Sequence, residues 1–273
     1  MTKFKDKNVL ITGGASGIGF LMAEAFIKRG ATNLIIFDID EIALKKAGER
    51  LQSQGCKILI LPTDISKETD LKNSLAIVAE AGLGIDILIN NAGVVTGKNF
   101  IDHTFQDVDR NMMVNSVAPM KLSLAILPDM IKKGDGHIVN ISSAASMLSN
   151  PKMSVYCASK WAMTGWSDSL RIEMENEKTG IKVLTVTPYY IDTGMFEGVN
   201  SPVVPVLKPD TVAHKIMKAI EKDKIILRTP WIIYTLPFVK GIFPKRLLDI
   251  FVGKFFGIYN SMDKFKGREH ERG

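Results

Sequence analysis

The stretch from Asn8 to Gly30 constrains the fold of this chain more than any other. Asn8 to Thr12 is a short apolar run with β-branched residues, the composition of a strand buried on both faces of a parallel sheet. It passes without a linker into Gly13, Gly14, Ala15, Ser16, Gly17, Ile18 and Gly19. Helically spaced apolar positions follow from Phe20 to Ile27 and stop at Arg29 and Gly30. Strand, glycine turn and helix in immediate succession cradle phosphate. The glycines let backbone amides approach a pyrophosphate, and the helix N-terminus adds partial positive charge.

The alternation continues downstream. Asn33 to Phe37 reads as a second strand ending at Asp38, nineteen residues after Gly19, the offset at which a carboxylate can accept from both ribose hydroxyls of an adenosine. The same charge repels a 2′-phosphate, and with Ile39 next and Ser16 in the turn no adjacent cation invites one, so NAD is expected over NADP. Glu41 to Gln54 reads as a helix and Lys57 to Leu61 as a strand. Asp64 and Ile65 are expected at the adenine edge, while Ser66 serves equally well as N-cap of a helix running to Ala81. Ile85 to Ile89 is a fourth strand. Asn91, Ala92 and Gly93 after it are small enough to let a flat cofactor lie on the carboxyl edge of the sheet. The 273 residues fit one doubly wound parallel α/β domain, a Rossmann fold, over residues 1–228, with a short apolar extension at 229–273.

A second constellation lies further along. If Ser154 opens a helix, Tyr156 and Lys160, four apart, project from one face. Free tyrosine, with a pKa of about 10, is a poor base at neutral pH, and an ammonium within roughly 4–6 Å favours the phenolate. Tyr156 would thereby become a usable proton-transfer group. Taken alone, such a pair is as readily a chance neighbourhood on a helix surface, so its weight comes from Ser143, thirteen positions upstream, and from the nucleotide site.

Together Thr12, Gly13, Gly17, Ile18 and Gly19, the Asn90 to Gly93 run, Asn115, Ser143, and Tyr156 with Lys160 resemble the short-chain dehydrogenase/reductase family from about Lys5 to Met195. The resemblance implies Tyr156 as acid/base and Lys160 as the group that lowers its pKa and holds the nicotinamide ribose. It implies Ser143 as the hydrogen-bonding partner of the substrate oxygen, in preference to its neighbour Ser142. Asn115 is the asparagine that kinks a helix and holds a relay water. The strand from Ile181 to Thr187 leads to Pro188, where the family commonly continues with glycine; here Tyr189 stands instead, and Thr193 is kept for the carboxamide, with Pro188 and Ile191 beside it. A narrower similarity is to the branch containing retinol and 17β-hydroxysteroid dehydrogenases. The hydrophobic anchor usual in that branch is not evident in Met1 to Asn8, so its membrane location is not expected to carry over automatically, and a cytoplasmic, membrane-peripheral location stays open. A homodimer or homotetramer is the implied assembly, and no metal is expected.

The net charge of +6 raises nucleic acid as a partner, but Thr229 to Gly273 holds eight Lys/Arg against four Asp/Glu, so most of the excess sits in the tail and a nucleic-acid partner is not expected. Cys56 and Cys157 form no Cys-x-x-Cys and read as reduced core thiols of a cytoplasmic protein. The longest charge-free run of the tail, Thr229 to Val239, is too short to span a bilayer. The tail is therefore expected to cap the substrate cleft, to form an interface, or to lie on an anionic membrane surface. With Met147, Leu148, Met153, Tyr190 and Met195 near the catalytic positions, the expected substrate is a small lipophilic alcohol or carbonyl compound. The alternative is a non-catalytic NAD(H)-binding sensor or interaction module, which would have no need of a phenol–lysine pair beside a hydroxyl.

Overall fold

A computed structural model describes residues 1–52, 56–201, 204–250, 253 and 257–267. Among these, strands β1 (Asn8–Thr12), β2 (Asn33–Asp38), β3 (Lys57–Pro62), β4 (Ile87–Asn90), β5 (Gly136–Ile141), β6 (Ile181–Pro188) and β7 (Ile226–Thr229) form one parallel sheet in the order β3-β2-β1-β4-β5-β6-β7. The period-two alternation of each strand divides the core. Val9, Ile11, Leu34, Ile36, Ile87 and Ile89 face the layer holding helices α1 (Gly17–Lys28), α2 (Glu41–Gln52) and α7 (Pro209–Glu221). Leu10, Ile35, Phe37, Leu88 and Ile138 face the layer of α3 (Glu68–Glu80), α5 (Ala118–Lys133) and α6 (Ser154–Asn176). Each fully buried Leu, Ile or Phe contributes about 1.5–3 kcal/mol of transfer free energy, so the two faces together hold the sheet between its helices.

The chain winds outward from β1 through β3, returns, and winds the other way from β4, so the carboxyl ends of β1 and β4 mark the switch point where open α/β sheets bind ligands. A row of buried polar groups crosses the sheet just below that edge. Asn90 donates to Asn140 (2.8 Å) and Ser123 (3.2 Å), Asn140 donates to Ser167 (2.8 Å), and Ser167 meets Thr185 (2.7 Å). These side chains register β4, β5 and β6 against α5 and α6, because a slipped strand would strand a buried amide at a cost of about 1–3 kcal/mol.

Several expected boundaries move. The fourth strand pairs from Ile87 rather than Ile85, and Gln54 of the second helix lies outside the described residues. Ser66 is not the cap of α3: Lys67 occupies that position, and the Ser66 hydroxyl and amide both bond Asp64 in a local turn. Between α4 (Phe105–Met112) and α5 the helix widens into a π turn over Met113–Val117, which carries Asn115. After β7 come a 3₁₀ turn at Trp231–Thr235 and helices α8 (Leu236–Ile242) and α9 (Lys245–Leu248).

Candidate active site

The glycine turn folds as its residue types require. Gly13 and Gly17 sit at φ +65° and +56°, and a Cβ on Gly13 would stand 2.9 Å from the Ala92 backbone, so only glycine lets the turn close on the end of β4. Ser16, extended, precedes α1 without a side-chain cap, leaving the amides of the first turn to an external acceptor. Above this turn opens a cleft of about 960 Å³, lined by Gly13, Ser16, Gly17 and Ile18 on one side and Asn91, Ala92 and Gly93 on the other. Asn91 lashes the two together, its amide donating to the carbonyls of Thr12 and Gly13 (both 2.9 Å). Gly19, expected beside the phosphates, does not line the cleft. Its missing side chain makes room for the Gly13 carbonyl, 2.1 Å from where a Cβ would be, and its task is packing.

Asp38 at the end of β2 and Asp64 with Ile65 after β3 line the far end of the cleft. The Asp38 carboxylate accepts from the amides of Ala15 (2.9 Å) and Asp40 (3.2 Å), which joins the glycine turn to β2. Asp64 accepts from Ser66 and lies 3.7 Å from the Lys67 amine. A part of this wall went unnoticed in the sequence: Gln106, Asp109 and Arg110 of α4 reach the cleft. The only local signal was the capping box of Thr104 and Asp107, which starts that helix and says nothing of where it points. An uncapped helix N-terminus, a turn no side chain fits, and an acid at the second strand form a donor and acceptor set that fits a dinucleotide.

Ser143, Tyr156 and Lys160 converge at the near end. Ser143 follows β5, while Tyr156 and Lys160 rise from the first two turns of α6, both 4% exposed and both lining the cleft. Ser142 also lines the cleft, but its hydroxyl is engaged with α6, donating to the Lys160 carbonyl and meeting Thr164. Asn115 does not line the cleft. Its side chain pairs with the Val94 backbone like a neighbouring strand, Oδ1 accepting from the amide and Nδ2 donating to the carbonyl (each 2.9 Å), and also donates to Ser159 (3.0 Å). It thus pins the π turn to the loop carrying Gly93 and to α6.

The electrostatics correct one expectation. The Lys160 amine lies 5.8 Å from the centre of the Tyr156 ring and donates to the Ile141 carbonyl (2.9 Å). Burial, the dominant cause, pushes the Tyr156 phenol up from 10, and hydrogen bonding with Ser143 opposes it. Burial also brings Lys160 down from 10.5 to about 8. Desolvation therefore governs both groups, and Tyr156 is held as the neutral phenol, where the four-residue spacing alone suggested an acidic one.

After β6, Pro188, Tyr189, Ile191 and Thr193 line the cleft, followed by Met195 and Phe196. Tyr189 in place of glycine stacks edge-on against Tyr190 (4.7 Å between centres). Tyr190 packs on Phe196 (5.0 Å) and Phe196 on Tyr156 (6.0 Å). Behind this aromatic wall sit Met262 and Phe265, so the end of the described tail packs in the same cluster as Tyr156. In the 231–250 part Ile233 and Leu248 are buried, while Trp231, Phe238 and Ile242 are 73%, 71% and 57% exposed.

Residues 7–203 match the family model described as short chain dehydrogenase. Over 266 residues, 96% of this chain and 85% of the relative, the sequence is 34% identical to epidermal retinol dehydrogenase 2 of Mus musculus. The fold is similar to a short chain dehydrogenase/reductase of Burkholderia phymatum in complex with NAD (TM-score 0.79, 25% identity, 92% of this chain and 96% of the other). It is similar also to a short-chain dehydrogenase of Sphingobium yanoikuyae in complex with NADPH (TM-score 0.78, 28% identity, 86% and 92%).

Proposed function

The chain belongs to the short-chain dehydrogenase family, and from that premise we propose that it is an NAD(H)-dependent oxidoreductase acting on a lipophilic alcohol or the corresponding carbonyl compound. The observation that carries the reading is the convergence of Ser143, Tyr156 and Lys160 at the apolar end of a cleft whose other end carries Asp38. Bound nicotinamide supplies or accepts the hydride. Gly13, Ser16, Gly17 and Ile18 hold the pyrophosphate, Asp38 the adenosine ribose, Asp64 and Ile65 the adenine, Asn91 to Gly93 the middle of the cofactor, and Lys160 the nicotinamide ribose, with Pro188, Ile191 and Thr193 on the carboxamide side. NAD is favoured over NADP because a 2′-phosphate would meet the Asp38 carboxylate.

The Tyr156 phenol, kept protonated by burial, is the form that gives a proton to a carbonyl oxygen; in the reverse direction it must first lose one. Ser143 hydrogen-bonds the same oxygen and steadies the charge that develops there. Asn115 holds the local backbone, and its second Oδ1 lone pair offers a place for a relay water. The walls of Tyr189, Met195 and Phe196 exclude water and select an apolar substrate, a retinoid, steroid or long-chain alcohol. An NAD-binding sensor would need none of the proton-handling groups. The test is Tyr156→Phe: turnover of such alcohols with NAD should vanish while NADH affinity stays within about twofold. Unchanged turnover would remove Tyr156 from the chemistry.

The exposed face of Trp231, Phe238, Ile242, Phe243 and Leu247, with Lys245 and Arg246 exposed beside it, is read as a peripheral contact with an anionic membrane. Lys240 is excluded from that role, since its amine turns inward to the Met147 carbonyl (2.5 Å) and the Trp161 ring (4.6 Å). Among the described residues no helix is long and apolar enough to cross a membrane. Self-assembly into a dimer or tetramer would use other apolar groups, such as Leu124 on α5 and Ile172 on α6, both exposed.

A further inference from the structure

The segment from Ser261 to Lys266 follows a 3₁₀ turn at Ile258–Asn260, and Ser261 and Met262 are 1% and 2% exposed. Met262 packs in the apolar cluster, and Ser261 is held by polar contacts. Asn150, in the turn before α6, donates from Nδ2 to Ser261 Oγ (2.7 Å) and to Tyr190 Oη (3.1 Å), and the two hydroxyls lie 3.1 Å apart. All three side chains are at least nine-tenths buried, which makes the knot costly to leave half-made. The segment also exchanges backbone bonds with the loop after Thr193: the Asn200 amide donates to the Ser261 carbonyl and the Lys266 amide to the Glu197 carbonyl (both 2.9 Å). Glycines permit the contact. A Cβ on Gly198 would stand 2.0 Å from the Lys264 carbonyl, and one on Gly97 2.3 Å from the Phe265 ring.

We propose that Asn150, Tyr190 and Ser261 form a clasp that seats the 261–266 segment against the 194–200 loop and thereby sets the shape of the substrate end of the cleft for bulky apolar alcohols. The three are positioning residues. They act through Phe196, which lines the cleft and stands between Tyr190 and Tyr156, so the wall facing a substrate is only as fixed as the knot behind it. The size selection rests on the oxidoreductase reading above; the clasp itself does not. Residues from three distant parts of the chain meet here, and none of the three lines the cleft, so cofactor binding should not depend on them.

Ser261→Ala and Tyr190→Phe each delete one oxygen and leave the fold's apolar packing in place. Hydrogen exchange in the cofactor-free protein should quicken about tenfold at the Asn200 and Lys266 amides. The KM for a long-chain alcohol should rise about tenfold with kcat little changed, the KM for a short alcohol and the affinity for NADH staying as in the wild type. Asp263→Asn, which breaks only the solvent-facing ion pair with Lys152, should change none of these. Unaltered exchange in both clasp variants, or an equal KM rise for long and short alcohols, overturns the proposal. If the wild-type protein turns over no alcohol, the oxidoreductase reading fails, and the exchange rates alone decide whether the clasp exists.

Discussion

Replacing Lys160 with methionine should make the cofactor-free protein more stable at neutral pH while removing its activity. The amine is 4% exposed, and burial brings it from 10.5 to about 8. At roughly 1.4 kcal/mol per pH unit, that interval means a charged Lys160 costs folding about 3 kcal/mol. Below about pH 8 the group is charged in both folded and unfolded chains, and the whole cost is present. Between 8 and 10.5 the folded protein has released the proton and the unfolded chain still holds it, so wild-type stability rises with pH; above 10.5 both are neutral and the cost is gone. Methionine removes the cost but also the bond to the Ile141 carbonyl, which leaves that acceptor short by about 1–2 kcal/mol. The variant should therefore be about 1–2 kcal/mol more stable than wild type at pH 7 and less stable by a similar margin near pH 10.5. Urea unfolding of the two proteins side by side at both pH values measures the difference, in which every group common to both cancels. A Lys160→Met protein less stable than wild type at pH 7, or a difference that ignores pH, would refute the claim that desolvation governs this amine.

Two further outcomes bear on the site and its surroundings. Asp38→Ala should weaken NAD by about tenfold and NADP by much less, since on the proposed reading the carboxylate that would hold the ribose would also repel a 2′-phosphate; equal losses in titrations with both cofactors would take Asp38 off the ribose. Trp231→Ser combined with Phe238→Ser should lower binding to vesicles containing anionic lipid by at least about tenfold and leave solution turnover intact, and sedimentation that does not change would turn the patch into a protein contact instead.

Local chemistry was legible where a residue acts on its near neighbours. The Gly13 to Gly19 turn, the acid at Asp38 and the step from Ser143 to Tyr156 and Lys160 each depend on one strand end or one helix face, and each stands where the spacing put it. Effects that depend on what the rest of the fold brings were not legible. The spacing of Tyr156 and Lys160 shows that they meet but not how dry the meeting place is, and dryness sets the direction of both pKa shifts. Gly19 looks like a phosphate contact in any glycine-rich turn; the Gly13 carbonyl that occupies its vacant side is visible only in three dimensions. Arg110 reaches the cleft and Asn150 reaches Ser261 across 111 positions, because helices and loops were delivered there by the sheet and not by any periodicity.

The π turn at Met113–Val117 has a consequence for how this chain can change length. It holds one residue more than an ordinary helical turn, so excising a single position there would let the helix close up into ordinary α turns with α4 and α5 kept nearly in phase, whereas the same excision in a helix without a surplus residue turns everything before it by about 100°. Gln106 and Arg110 would keep their place on the cleft wall, unless the position removed were Asn115 itself, whose bond with the Val94 amide would be lost. The surplus residue thus works as slack in the helix: this turn can give up one position without moving the cleft, where an ordinary helix would lose its register.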